Sequence, residues 1–217
     1  MKQIFTLLAA TSILAACNNA PEADKATATD QQTASTDSIN FTIDTTTSKV
    51  NWVGSKPTGK HTGYFLLSNG GFAVNNGTIT GGNFTINANS LTVTDLTGED
   101  KGKLEGHLKS ADFFNIEKYA TARFEVTGVT TYDSTTATVK LAGATHVISG
   151  NLTLLDSTKN ISFPAKVNLT DAAIIAEASF NIDRTQWGLN YKGPNNPQDW
   201  FISKEVNLTL NISASKK

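Results

Sequence analysis

Three histidines, His61, His107 and His146, and a single cysteine, Cys17, carry the most distinctive chemistry in this chain. Three imidazoles could make a zinc site with three protein ligands, but no His-x-His or His-x-x-x-His spacing brings two of them together. No Gly-x-Ser-x-Gly elbow supports a hydrolase nucleophile either. The pattern gives no basis for a metal, a catalytic residue or a cofactor, and points to binding rather than catalysis. What stands out is the run GHLKSADFFN, residues 106–115. It sets His107 and Lys109 close to the adjacent Phe113 and Phe114, with Arg123 a short way on. Imidazole, ammonium and guanidinium groups are the donors that an anionic or carbonyl headgroup requires. Left to themselves, Lys109 would be solvated and Arg123 would pair with Asp112. Two neighbouring phenylalanines on a strand face opposite sides; on a helical turn they diverge by only about 100° and can cover one opening. The spacing predicts a lid over residues 104–114, closed by Leu104, Leu108, Phe113 and Phe114. The same four also read as core residues packed beneath a crossover.

The elements around that run are strands. Phe41 and Ile43, then Val50 and Trp52, alternate with polar residues. In HTGYFLLS, His61, Gly63, Phe65 and Leu67 share one face. Asn76-Gly77 is a hairpin signal, and the Gly81-Gly82 pair breaks the alternation before Phe84 and Ile86, as a bulge does. Phe124 and Val126, Leu152 and Leu154, and Ile161 to Leu169 continue the pattern, which closes with Val206, Leu208, Leu210 and Ile212. This predicts about eight to ten strands, an all-β sandwich or barrel. Two segments interrupt it: residues 99–119, with Leu104 and Leu108 one helical turn apart and weakened by Gly102 and Gly106, and residues 187–202, rich in Pro, Gly and aromatics. Trp52, Phe65, Phe84 and Phe124 are large inward candidates; Gly63, Gly82 and Ala165 are small ones. An eight-stranded barrel holds either a packed core or one small ligand, and this mixture of sizes leaves room for a slot. Arg184, in the turn DRTQWG, reads as structural, with Trp187 as a stacking partner.

Composition narrows the partners. Of 217 residues, 17% are charged and the net charge is −1, with no basic block, so nucleic acid is excluded as the main partner. One cysteine rules out an intramolecular disulfide. No apolar run reaches the ~18 residues of a membrane-spanning helix.

The N-terminus has a short positive start followed by the apolar stretch Ile4–Ala16, the outline of a secretory signal peptide. It exits through Leu14-Ala15-Ala16-Cys17, which resembles the bacterial lipobox. That resemblance implies cleavage after residue 16 and acylation of Cys17, and a thiol-linked diacylglycerol with an amide-linked chain suffices for stable anchoring. Asn18 in place of Asp resembles the sorting signal for the outer membrane in some Gram-negative bacteria, with the protein facing the periplasm and surface exposure left open. Residues 17–39 hold only Ile39 as a large apolar residue, so they read as a disordered tether, its ends roughly 25 Å apart. The folded domain is expected over residues 40–215.

The segments KLEGHLKSADFFNIEKYATARFEV, VISGNLTLLDSTKNISFPAKV and FNIDRTQWGL resemble, in order and spacing, the YceI-like family of secreted lipid-binding proteins across residues 41–214. Ala120 replaces the family's usual Pro after Tyr119, and Asp156-Ser157-Thr158 stands at the small-residue turn of the hairpin. The resemblance implies a lipocalin-like antiparallel barrel of about eight strands, with an apolar tunnel for a long isoprenoid chain such as a polyprenyl lipid or a quinone tail. It brings no catalytic residues. Trp52, Phe65, Phe84, Leu104, Leu108, Phe113, Phe114 and Phe124 are the expected tunnel lining, and His107, Lys109 and Arg123 the expected headgroup donors. The competing expectation is a filled barrel serving as an interaction module of the cell envelope. Oligomeric state is open, a homodimer included.

Overall fold

Alternating apolar side chains become strands wherever one face can be buried, and here they form a closed wall. The computed structural model describes residues 20–192 and 202–217; Cys17, the expected signal segment and part of the 187–202 loop lie outside the described residues. Among the described residues the strands are β1 (Asp24–Lys25), β2 (Phe41–Ile43), β3 (Lys49–Lys56), β4 (Gly59–Asn75), β5 (Thr78–Val93), β6 (Thr121–Thr131), β7 (His146–Leu154), β8 (Ser157–Leu169), β9 (Ala173–Asp183) and β10 (Glu205–Lys216), with one helix, α1 (Gly98–Lys109), between β5 and β6. Strands β3 to β10 pair antiparallel in sequence order, and β10 returns to β3. The result is an eight-stranded barrel with no free edge. The short β2 joins β10 to β4 at one end.

Local chemistry sets the corners. Asn76 (φ 49°) and Gly77 (φ 74°) both adopt positive φ, the primed hairpin geometry that an Asn-Gly pair favours. The β4–β5 register shifts between Ala73 and Val74, opposite the glycine pair, so the expected bulge sits at Thr80 beside Gly81. The β7–β8 hairpin differs from expectation. Its two-residue turn is Leu155-Asp156, with Leu155 at φ 53°, and Ser157 and Thr158 already belong to β8.

Residues 20–39 are not a free tether. They pair with the barrel strands themselves, β1 running parallel with β9 at Phe180 and Asn181. Their bonds then step across the barrel: Thr29 to Asn160 on β8, Gln32 to Asn151 on β7, and the Ser35 N–H to the Val126 carbonyl on β6. The reason lies in the barrel rather than in the segment. Asn151, Asn160, Asn181 and Asn207 occupy outward positions on four strands, yet all are buried. Asn207 donates to Asn181 (2.9 Å), and Asn160 donates to Asn151 (3.0 Å). Asn151 in turn accepts from the Gln32 N–H (3.0 Å) and donates to its carbonyl (2.7 Å). An amide side chain that offers both a donor and an acceptor satisfies an extended backbone as a strand would, and this polar satisfaction supplies the binding that the segment's few apolar residues could not.

Candidate functional site

The barrel is hollow. Among the described residues an apolar cavity of about 610 Å³ runs from the α1 end to Val129, Val167 and Ile212 near the opposite strand ends, within the ~300–1,000 Å³ usual for small-molecule sites. A filled interior is therefore not what this sequence builds.

Two devices keep it open. Trp52 on β3 lies over Gly63, its register partner on β4, and Phe124 on β6 lies over Gly150 on β7. A Cβ on Gly63 would fall 2.4 Å from the Trp52 ring and 2.2 Å from the Thr92 carbonyl; one on Gly150 would fall 2.2 Å from the Phe124 ring. Both large rings thus lie against the wall instead of crossing the lumen. The expected lining residues Trp52, Phe65, Phe84 and Phe124 all border the cavity. Phe84 meets Phe72 edge-on at 5.0 Å. The Trp52 Nε1 is enclosed and has no hydrogen-bond partner among the described residues.

The GHLKSADFFN run lies at the helix end of the cavity. Glu99 and Asp100 in the first turn of α1, and His107 and Lys109 in the last, complement the helix dipole. The Glu105 carboxylate accepts the Val93 N–H (2.8 Å) and ties the helix to the end of β5. After Lys109 the chain turns tightly: the Phe113 N–H bonds the Ser110 carbonyl and the Phe114 N–H bonds the Leu108 carbonyl, both at 3.1 Å. This turn aims both phenylalanines at the cavity, which Leu104 and Leu108 also border. Phe114 packs edge-on against Phe65 (5.2 Å), and Phe113 packs against His107 (5.2 Å) and Tyr191 (5.1 Å).

Of the three expected headgroup donors, His107 borders the cavity and the other two do not. Arg123 sits at an outward position of β6, exposed, and its nearest carboxylate is Glu125 at 4.0 Å; Asp112 bonds His107 (3.1 Å) instead. Alternation decides this: Phe124 points inward, so Arg123 must point out. Lys109 shares the last turn of α1 with His107 but does not border the lumen. Sequence reasoning missed Lys56, His61, Tyr191 and Lys192, which gather polar groups at this same end. Their shared signal is position: each stands where a strand or turn ends beside α1. The His61 ring bonds Asp95 (2.8 Å), and Asp95 also accepts the Thr62 N–H (2.8 Å). Burial alone would raise the Asp95 pKa, but the Thr62 N–H and the His61 ring outweigh it and hold the carboxyl below its ordinary value.

Arg184 is buried beside the same mouth, and burial pushes its pKa down against the opposing charge of Asp183. The expected stack on Trp187 gives way to main-chain bonds. The guanidinium donates to the carbonyls of Ser203 (3.0 Å), Ile202 (3.0 Å), Tyr191 (3.1 Å) and Leu189. Trp187 is buried separately and donates to the Leu152 carbonyl (2.8 Å). The three histidines have separate partners, His61 with Asp95, His107 with Asp112 and His146 with Thr145.

This hollow apolar barrel with one polar end has similar proteins in sequence and in fold. The UPF0312 protein ECA1782 of Pectobacterium atrosepticum is 29% identical over 161 residues, covering 73% of this chain and 71% of that protein. In structure, a polyisoprenoid binding domain from Saccharophagus degradans, implicated in plant cell wall breakdown, superposes with a TM-score of 0.60 at 20% identity, over 83% of this chain and 100% of that one. BcnA of Burkholderia cenocepacia does so with a TM-score of 0.59 at 18% identity, over 79% and 98%. Residues 41–214 match the YceI-like domain, nearly the whole barrel, and the chain belongs to that family.

Proposed function

We propose that this protein is a lipid-anchored envelope protein that holds a long isoprenoid-type lipid, a polyprenyl lipid or a quinone tail, inside the barrel as carrier or reservoir. The observation that carries this reading is the apolar lumen of about 610 Å³ with polar groups confined mainly to the α1 end. An amphiphile with one polar head and a slender tail matches that division: the tail lies along Phe84, Phe124 and Phe163, and the head rests near Lys56, His61 and His107. The binding fold and the lack of a catalytic constellation favour a binder over an enzyme. Anchoring rests on Leu14-Ala15-Ala16-Cys17, and Asn18 favours the outer membrane with the barrel in the periplasm.

Extraction of the purified protein with organic solvent, followed by mass spectrometry, tests the binding. A stoichiometric linear isoprenoid is the expected result; a protein that leaves its native membrane empty, or carrying only bulk phospholipid, overturns it. Incorporation of labelled palmitate, lost in Cys17→Ser, tests the anchor.

A further inference from the structure

The barrel wall is discontinuous at the β8–β9 seam, and the β5–β6 ladder is also short, running only over Asn83–Asn87 against Thr121–Glu125. β8 and β9 share a backbone ladder only where Lys166–Leu169 face Glu177–Ile174. Toward the α1 end the same register would join Phe163 to Phe180, but the strands have parted there. Asp24 partners Phe180 and Lys25 partners Asn181, while the Ala26 N–H donates to the Asn181 carbonyl (2.9 Å). On the other edge Thr29 exchanges two backbone bonds with Asn160 on β8, 2.8 and 3.0 Å. Residues 24–29 therefore lie in the plane of the wall, wedged between β8 and β9. By contrast β9 and β10 are paired along their whole length.

The seam opens directly onto the lumen. Ala26 reaches the main core cluster. Next to the gap the cavity-bordering side chains are small, Ala165 and Ala178; behind the wedge Ile161, Phe163, Phe180 and Ile182 line the lumen, the two rings stacked at 4.0 Å and 12°. The wedge is held by the two-residue β1–β9 ladder, the Thr29–Asn160 pair, the Lys140 and Leu141 N–H bonds to the Asp24 carboxylate and the Lys25–Glu205 ion pair, so its local opening breaks fewer backbone bonds than parting the fully paired β9 and β10. It also lies upstream of residues 41–214, outside the region that matches the family.

We infer that the β8–β9 seam is a lateral port through which an apolar chain passes between membrane and lumen, and that residues 23–29 are its removable stave. This rests on the lipid-binding reading above. A long chain entering sideways need not thread its length past the polar end of the tunnel.

The test uses the full chain with Cys17→Ser, so that only designed pairs can oxidise. Thr29→Cys with Asn160→Cys locks the β8 edge; a directly opposed hydrogen-bonded pair, with Cα atoms about 5.5 Å apart, is within disulfide reach. Lys25→Cys with Asn181→Cys locks the β9 edge. The locks are made singly and together, and each variant is compared with itself reduced, so that any effect of the substitutions on folding cancels. Uptake of tritiated solanesol from phosphatidylcholine vesicles is the readout. The doubly locked, oxidised protein should load at least roughly tenfold more slowly than its reduced form, as expected when local opening limits access. Equal rates in the two forms, with both loading, overturn the port and leave lipid binding intact. No loading by either form or by the Cys17→Ser parent overturns the binding reading, and the port with it.

Discussion

The indole of Trp52 rests on Gly63, its cross-strand partner, so closely that a methyl group there would lie 2.4 Å from the ring and 2.2 Å from the Thr92 carbonyl. The second contact matters more, since a carbonyl in a ladder cannot step aside. Gly63→Ala should cost about 1–3 kcal/mol, the usual range for overpacking, read as a lower urea midpoint with an unchanged slope.

Gly150 poses a different problem, because its first three neighbours are all atoms of the Phe124 ring. That ring has empty lumen on its other side and can swing into it. Gly150→Ala should therefore lower lipid occupancy more than stability. An unchanged lipid content by mass spectrometry would show that the ring finds another place.

Phe113 and Phe114 both border the lumen from the turn after α1. Replacing both by Ala should release bound lipid while far-UV circular dichroism stays that of the parent. Phe113 is the more buried of the two, so the single Phe113→Ala change should carry most of any stability loss, toward the ~3–5 kcal/mol of a core Phe truncation. Full lipid retention in the double variant removes the lid.

Gly102 and Gly106 face open solvent, with nothing that an added Cβ would meet. Alanine at either position should stabilise α1 by about 0.5–1 kcal/mol, seen as a higher melting temperature. The same changes should slow lipid exchange if the helix must loosen to admit the chain.

Asp95 gives the mouth an acid-sensitive tie. Its carboxyl is held below the ordinary value by the Thr62 N–H and His61, against burial. A depressed carboxylate contributes stability above its unfolded value, and loses that contribution as the pH falls through its folded value. The loss should begin below about pH 4. The Thr62 amide proton shift should titrate in that window and stay flat in Asp95→Asn.

The barrel was legible from alternation because each strand buries one face, and Val206, Leu208, Leu210 and Ile212 show it on β10 alone. The mouth was legible in Phe113 and Phe114, whose adjacency makes no sense on a strand. Arg123 was misassigned for want of the same test: Phe124 next to it had already claimed the inner face. The path of residues 20–39 was hidden for another reason. Its bonds are made by backbone groups and by Asn151, Asn160, Asn181 and Asn207, outward positions that ordinarily mean contact with water. The faint signals were those four amides on neighbouring strands, and the small residues Ala23, Ala26 and Ala28, which fit where larger ones would not.

The Asn181 amide grips the Pro21 carbonyl at 2.9 Å, and this shortens the leash. From an acylated Cys17 to Pro21 there are four Cα steps, at most about 14 Å fully extended. If Cys17 carries the proposed lipid, the barrel is held within that distance of its own bilayer, and cargo would be traded at that surface.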